Sequence, residues 1–107
     1  MDWAVTVVNE AAAEELRALP SDLRAKFERI VALIKAKGLD QVHEPYVRHL
    51  EGKLWEMRMV GRDRIVRSIY VTASGRRVVV LHTFIKKTEK TPARALAIAR
   101  ARAKEVR

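Results

Sequence analysis

The chain has 107 residues, 22 of them Lys or Arg and 13 Asp or Glu, and a net charge of +9 at pH 7. This length predicts a single domain over residues 1–107 that buries a core without covalent staples. The absence of cysteine excludes disulfides and any Cys-ligated metal site. No stretch has the length of a membrane span, and the chain does not open with a secretory leader, so we expect a cytoplasmic protein with no membrane partner.

The positive charge is confined to one part of the sequence. Residues 1–45 hold 6 Lys or Arg and 8 Asp or Glu, whereas residues 46–107 hold 16 and 5. A concentrated basic surface is typical of nucleic-acid binders, because each phosphate contact releases counterions. The second part of the chain is therefore expected to carry the function.

The first 38 residues predict a strand followed by two helices. Residues 3–8 read as a short strand, and Asn9 offers a cap for a helix with an acidic start. Pro20 interrupts that helix, and Ser21 is predicted to cap the next one, which ends at Gly38. The apolar residues of the second helix recur at spacings of three and four, which indicates packing against a sheet.

Residues 39–107 predict four strands and a last helix. The strands cover residues 47–50, 53–59, 64–71 and 76–86, with turns at 60–63 and 73–75, and are expected to form an antiparallel four-stranded meander. Thr91 is predicted to cap the last helix and Pro92 to begin it. That helix has a narrow apolar stripe, with its basic residues outside: Arg94, Arg100, Arg102 and Lys104. The fold class is therefore α+β.

The last strand delivers charged side chains to the end of the sheet. Period-two alternation predicts that five side chains lie on the same face of this strand: Val78, Val80, His82, Phe84 and Lys86. Arg67 lies between Ile65 and Ile69 on another strand, an unusual place for a guanidinium unless it has a partner or a ligand. An internal ion pair with Glu56 is the alternative explanation. His43 and His49 show no metal-ligand spacing, so we expect no metal and no cofactor.

Three motifs together resemble a known family. They are Leu-Trp-Glu-Met-Arg at residues 54–58, Arg-Ser-Ile-Tyr at 67–70, and Phe-Ile-Lys-Lys-Thr-Glu-Lys-Thr-Pro at 84–92. With the order of elements, they resemble the RelE/ParE superfamily of toxins, and within it the HigB-type, phage Gp49-like branch. The resemblance implies a toxin of a type II toxin–antitoxin system that cuts mRNA on the ribosome. Its partners would be mRNA, the ribosome and a HigA-like helix-turn-helix antitoxin.

The resemblance and the residues together give a set of site candidates. The catalytic candidates are Arg58, Arg67, Lys86, Lys87 and His82, and the RNA-binding candidates are Lys53, Arg64, Tyr70, Phe84 and Lys90. Guanidiniums suit phosphorane stabilisation, and a lysine crowded by cations suits proton transfer. His82 and Phe84 are alternatively core residues. Family members often carry a catalytic Tyr or His near the C-terminus, and this sequence has neither after Pro92.

Two other functions remain open at this point. A gyrase poison of the ParE kind would share the fold without needing a phosphate-clamping cluster, which the pair Lys86–Lys87 with Arg58 and Arg67 disfavours. A non-catalytic module would bind RNA or an antitoxin through charge alone.

Overall fold

The computed structural model describes residues 2–87 and 90–107. In chain order its elements are β1 (Ala4–Val7), α1 (Glu10–Arg17), α2 (Ser21–Lys37), a short 3-10 helix (Leu39–Gln41), β2 (Val47–Glu51), β3 (Leu54–Val60), β4 (Ile65–Ala73), β5 (Arg77–Lys86) and α3 (Ala93–Ala103). The predicted strand, two-helix hairpin, four-stranded meander and C-terminal helix are all present.

The five strands form one mixed sheet with the order β1-β5-β4-β3-β2. Strands β2 to β5 are antiparallel to their neighbours, which confirms the meander. Strand β1 adds to β5 in parallel, with Ala4 opposite Arg77 and Val7 opposite Val80. This parallel pairing was not predicted, because nothing in a four-residue strand indicates which distant strand it joins.

The helices cover opposite faces of the sheet. The hairpin of α1 and α2 packs its apolar stripe on one face, where Ile30 and Ile34 meet Met57, Tyr70 and Val80. On the other face, α3 packs through the small residues Ala95 and Ala99 on a second core. The strand residues of this core are Leu54, Ile69, Val71, Val79 and Leu81. Alanines allow α3 to lie close to the strands.

A bulge in β5 overturns the predicted alternation along that strand. Ile69 of β4 is opposite His82 and Tyr70 is opposite Val80, so Leu81 has no cross-strand partner. Residues directly opposite each other share a face. Val80 therefore stays on the hairpin face, whereas His82, Phe84 and Lys86 move to the α3 face. As a result Phe84 and Lys86 share a face with Arg67, which the sequence could not show.

Two of the predicted helix caps are wrong. Asn9 does cap α1, accepting a hydrogen bond from the Ala12 amide at 2.9 Å. In contrast, Ser21 is already inside α2, and the cap positions of α2 and α3 are Pro20 and Pro92, neither of which makes a side-chain bond. Each proline fixes the extended backbone just before a helix start, so the polar neighbour is not needed there.

Glu15 joins three elements near the bulge. Its carboxylate accepts from the Thr83 amide and from Arg102, each at about the length of a charge-assisted bond (3.0 Å and 2.9 Å). Arg102 also donates to the Leu81 carbonyl at 3.0 Å. The prediction that Arg102 lies outside is therefore wrong, because it ties α3 to α1 across the bulge. In the described part of the chain, no helix is both long and apolar enough to cross a membrane.

Candidate active site

One end of the sheet collects most of the predicted site residues. The register puts Arg58, Arg67 and Phe84 in one row across β3, β4 and β5, and Val60, Ile65 and Lys86 in the next. Arg64 is exposed in the turn before β4. Lys87 and Lys90 are exposed along the connection from β5 to α3. We call this set the basic end: Arg58, Arg64, Lys86, Lys87 and Lys90.

Arg67 is buried and paired with Glu56. Only 1% of Arg67 and 0% of Glu56 is exposed, and Arg67 Nη1 lies 3.0 Å from Glu56 Oε1 and 3.2 Å from Oε2. The same nitrogen donates to Thr91 Oγ1 at 3.4 Å. The ion pair raised as the alternative explanation for Arg67 is thus present. Burial lowers the pKa of Arg67 and raises the pKa of Glu56, and each partner's charge opposes that shift.

The neighbourhood of this pair contains more donors than acceptors. Among the described residues, Arg67 Nε, Arg67 Nη2 and Arg58 Nε are buried without a hydrogen-bond partner. Glu56 Oε1 is also without a hydrogen bond, although it is close to Arg67 Nη1. Buried donors are nearly always satisfied in native proteins, so an unsatisfied group of them suggests a place for an anion or water.

Two cations that the sequence argument missed line a cavity together with Arg58. The cavity has a volume of about 310 Å³ and is lined by Arg58, Tyr46 and, from α2, Lys26 and Arg29. Lys26 also donates to the Val60 carbonyl. The sequence assigned all the basic character to residues 46–107, because charge was counted by segment. The signal available was the placement of both cations between the apolar positions of α2.

His82 and Phe84 are packed against each other next to the basic end. Their rings stack at 5.3 Å, and Phe84 packs on the core beneath α3. His82 is 9% exposed, and its Nδ1 lies 3.0 Å from Glu15 Oε1. An ionised carboxylate only accepts, so Nδ1 carries the proton in this contact. These contacts favour the core alternative for both residues.

Tyr70 and Lys53 do not join the basic end. Tyr70 is 1% exposed in the core on the hairpin face, and burial raises its pKa well above the ordinary value. The prediction that it contacts RNA is not compatible with this position. Lys53 is exposed in the turn between β2 and β3, five residues from Arg58 and so about 17 Å away along the strand. It lies at the opposite end of the sheet.

A second, larger cavity occupies that opposite end. It has a volume of about 750 Å³ and is lined mostly by apolar and aromatic side chains that include Trp3, Trp55 and Tyr70. In the described ranges, no group of three His, Asp or Glu side chains is arranged to hold a metal ion. The charged groups at the basic end are therefore the main chemical feature of the site.

The comparisons with known proteins identify the family of this chain. The family model described as "Phage derived protein Gp49-like (DUF891)" matches residues 14–104, which is most of the chain. The chain belongs to this Gp49-like family. No sequence among the curated proteins matches significantly.

Solved structures share the fold of this Gp49-like protein at low sequence identity. It is similar to a mutant of the E. coli toxin RelE in the free state, with 19% identity, a TM-score of 0.65, and coverage of 95% of this chain and 98% of RelE. It is also similar to a chain of the archaeal RelE–RelB complex from Pyrococcus horikoshii OT3. That match has 19% identity, a TM-score of 0.59, and coverage of 78% of this chain and 93% of the other. The predicted RelE-like α+β fold is confirmed.

Proposed function

We propose that this Gp49-like protein is the toxin of a toxin–antitoxin system and acts as a metal-independent endoribonuclease on mRNA in the ribosome. The observation that carries the proposal is the convergence of Arg58 and Lys86 with Arg67 at one end of a RelE-like sheet. Cleavage through the 2′-hydroxyl needs stabilisation of the phosphorane and two proton transfers, and cationic side chains serve the first task.

The roles follow from exposure and position. Arg58 and Lys86 are partly exposed, so they contact the RNA phosphate directly. Arg64, Lys87 and Lys90 are exposed around them and attract the RNA backbone. Arg67 is buried next to Arg58, and its Nε and Nη2, which lack hydrogen-bond partners among the described residues, are the groups it offers to the phosphate. His82 as a catalytic group stays a prediction from the sequence, and its bond to Glu15 supports the core alternative.

The partner that silences this activity is, in our proposal, a small antitoxin. The support is the fold shared with a chain of the RelE–RelB complex. A HigA-like helix-turn-helix antitoxin is suggested only by the sequence resemblance. Because the surface to be covered is basic, the antitoxin is expected to bring acidic side chains to it.

The test is to map new mRNA 5′ ends after brief expression in a host that lacks the antitoxin. Wild type and Lys86→Ala are compared with Lys53→Ala, which removes the same charge at the opposite end of the sheet. We expect cuts within translated codons for wild type and Lys53→Ala, and none for Lys86→Ala.

The other outcomes separate the competing functions. Growth arrest without new 5′ ends would contradict the nuclease and favour a gyrase poison of the ParE kind. If neither growth arrest nor new 5′ ends were observed, a non-catalytic binding module would remain as the function. Such a module would lose RNA affinity in both lysine variants in proportion to charge, whereas an enzyme loses cleavage far more than binding.

A further inference from the structure

The Arg67 guanidinium is held at only one of its three nitrogens by described residues. Nη1 contacts Glu56 and Thr91, whereas Nε and Nη2 are buried without hydrogen-bond partners. The N–H bonds of Nε and Nη2 lie side by side on the same edge of the guanidinium plane. This edge is the one that binds two oxygens of a phosphate or carboxylate at once. The contact with Glu56 leaves that edge available.

Arg58 is directly opposite Arg67 on the neighbouring strand. Like charges in this position repel unless an anion lies between or beside them. Arg58 Nε is also buried without a partner, although the residue as a whole is partly exposed. The charge of Glu56 alone does not balance the cations that act on this pair, which also include Arg48 and Lys86. The unpartnered nitrogens of Arg58 and Arg67 therefore form one candidate anion-binding unit, next to the partly exposed side chain of Arg58.

We propose that Glu56 is a positioning residue. By accepting a hydrogen bond from Arg67 Nη1, it orients the Nε–Nη2 edge of the guanidinium toward an RNA phosphate that Arg58 also binds. This inference rests on the proposed nuclease function and adds a residue to it. Glu56 acts through Arg67, because its carboxylate contacts Arg67 Nη1.

A positioning role differs from that of a counter-charge in what it requires of the side chain. Positioning depends on the length of the side chain, since the carboxylate must reach Nη1. A counter-charge depends on ionisation and tolerates a small change of length. Glu56→Gln keeps the length and one acceptor but removes the charge, whereas Glu56→Asp keeps the charge and is shorter by one methylene. Positioning predicts that Asp is the worse replacement, and a counter-charge predicts that Gln is.

The experiment is a titration of the purified protein with inorganic phosphate, followed by NMR on the Nε–Hε signals of Arg67 and Arg58. We expect both signals to shift in wild type and in Glu56→Gln. In Glu56→Asp, we expect the Arg67 response to weaken at least about 5-fold while that of Arg58 persists. Glu51→Asp is the matched control, because Glu51 is paired with Arg100 on the surface, and it should behave as wild type.

Three results would overturn the proposal: no Arg67 shift in wild type, an equal shift in Glu56→Asp, or a weaker response in Glu56→Gln than in Glu56→Asp. In single-turnover cleavage, we expect Glu56→Asp to lower the maximal rate constant roughly 10- to 100-fold with little change in the half-saturating concentration, as for a misplaced catalytic geometry. The phosphate titration does not need nuclease activity. If wild type shows the expected shifts but cuts no mRNA, the proposed function fails and the positioning of Arg67 stands.

Discussion

Arg102 Nη1 in α3 lies 2.9 Å from Glu15 Oε2 in α1, so an ion pair joins the helices of the two sheet faces. Both side chains are largely shielded from solvent, with 17% and 24% exposed. The same carboxylate holds the Thr83 amide next to the bulge in β5. The pair therefore fixes both α3 and the strand distortion that brings Phe84 and Lys86 to the α3 face.

We expect Glu15→Ala to lower the free energy of unfolding by about 2 kcal/mol, because it leaves the Thr83 amide without its acceptor and removes the carboxylate partner of Arg102. Urea unfolding measures the change. Glu14→Ala is the matched control on the same helix, since Glu14 pairs with Arg17 on the exposed surface, and its cost should stay below about 0.5 kcal/mol. Equal costs for the two variants would contradict the role given to Glu15.

The buried pair of Glu56 and Arg67 predicts a non-additive pattern of stability. Arg67→Met or Glu56→Leu alone should cost about 3–5 kcal/mol, because each leaves an unpaired charge in the core. The double variant should cost less than either single change, since no charge then remains buried without a partner. Denaturant unfolding of the four proteins gives the coupling. Additive costs would show that the two side chains do not act as a pair.

Two glutamates should give stability opposite dependences on pH. Burial raises the pKa of Glu56, so its contribution is present below the ordinary carboxyl pKa of about 4.3 and is lost as the pH rises through the folded value. The hydrogen bond from Arg100 lowers the pKa of Glu51, so its contribution is present above that value and is lost as the pH falls.

Calorimetry over the acidic and neutral range tests both signs. As the pH rises, the Tm of Glu56→Gln should increase relative to that of wild type, and the Tm of Glu51→Gln should decrease relative to that of wild type. Parallel curves for a variant and wild type would mean that the carboxyl in question does not change its proton affinity on folding.

His82→Gln separates catalysis from packing. A glutamine amide can still donate to Glu15, so we expect the Tm to change little and mRNA cleavage to stay within about 3-fold of wild type, since a general acid or base contributes about 100-fold or more. Cleavage assays with Lys86→Ala as the inactive reference provide the measurement. A loss of 100-fold or more at unchanged Tm would instead make His82 the catalytic group that the sequence suggested.

Salt should weaken the complex with the antitoxin. If acidic side chains cover the basic end, the Kd should rise steeply with ionic strength, because exposed charge pairs are screened beyond about 10 Å at 0.1 M salt. Titration of toxin with antitoxin at several salt concentrations measures this slope. A Kd that does not respond to salt would show that apolar contacts, rather than charge, hold the antitoxin.

The sequence predicted the order and type of the elements because their apolar periods and turn residues are local signals. The family resemblance, together with the residue types, placed Arg58, Arg67 and Lys86 among the site candidates. The sequence could not predict that the latter two share a face, because a bulge at Leu81 shifts the alternation by one residue and leaves no mark in a run of apolar side chains. The contacts of Glu15 were equally out of reach, since its partners lie near the other end of the chain.

The parallel pairing of β1 with β5 also sets an order of assembly during synthesis. The first strand that the ribosome releases has no partner until residues 77–80 are made. The hairpins from β2 to β5, by contrast, join segments that are neighbours in sequence and form without β1. A nascent chain can therefore pair the strands that carry Arg58 and Lys86 from local contacts alone. The edge of the sheet formed by β1 is completed only when β1 docks on β5, the last strand to be made.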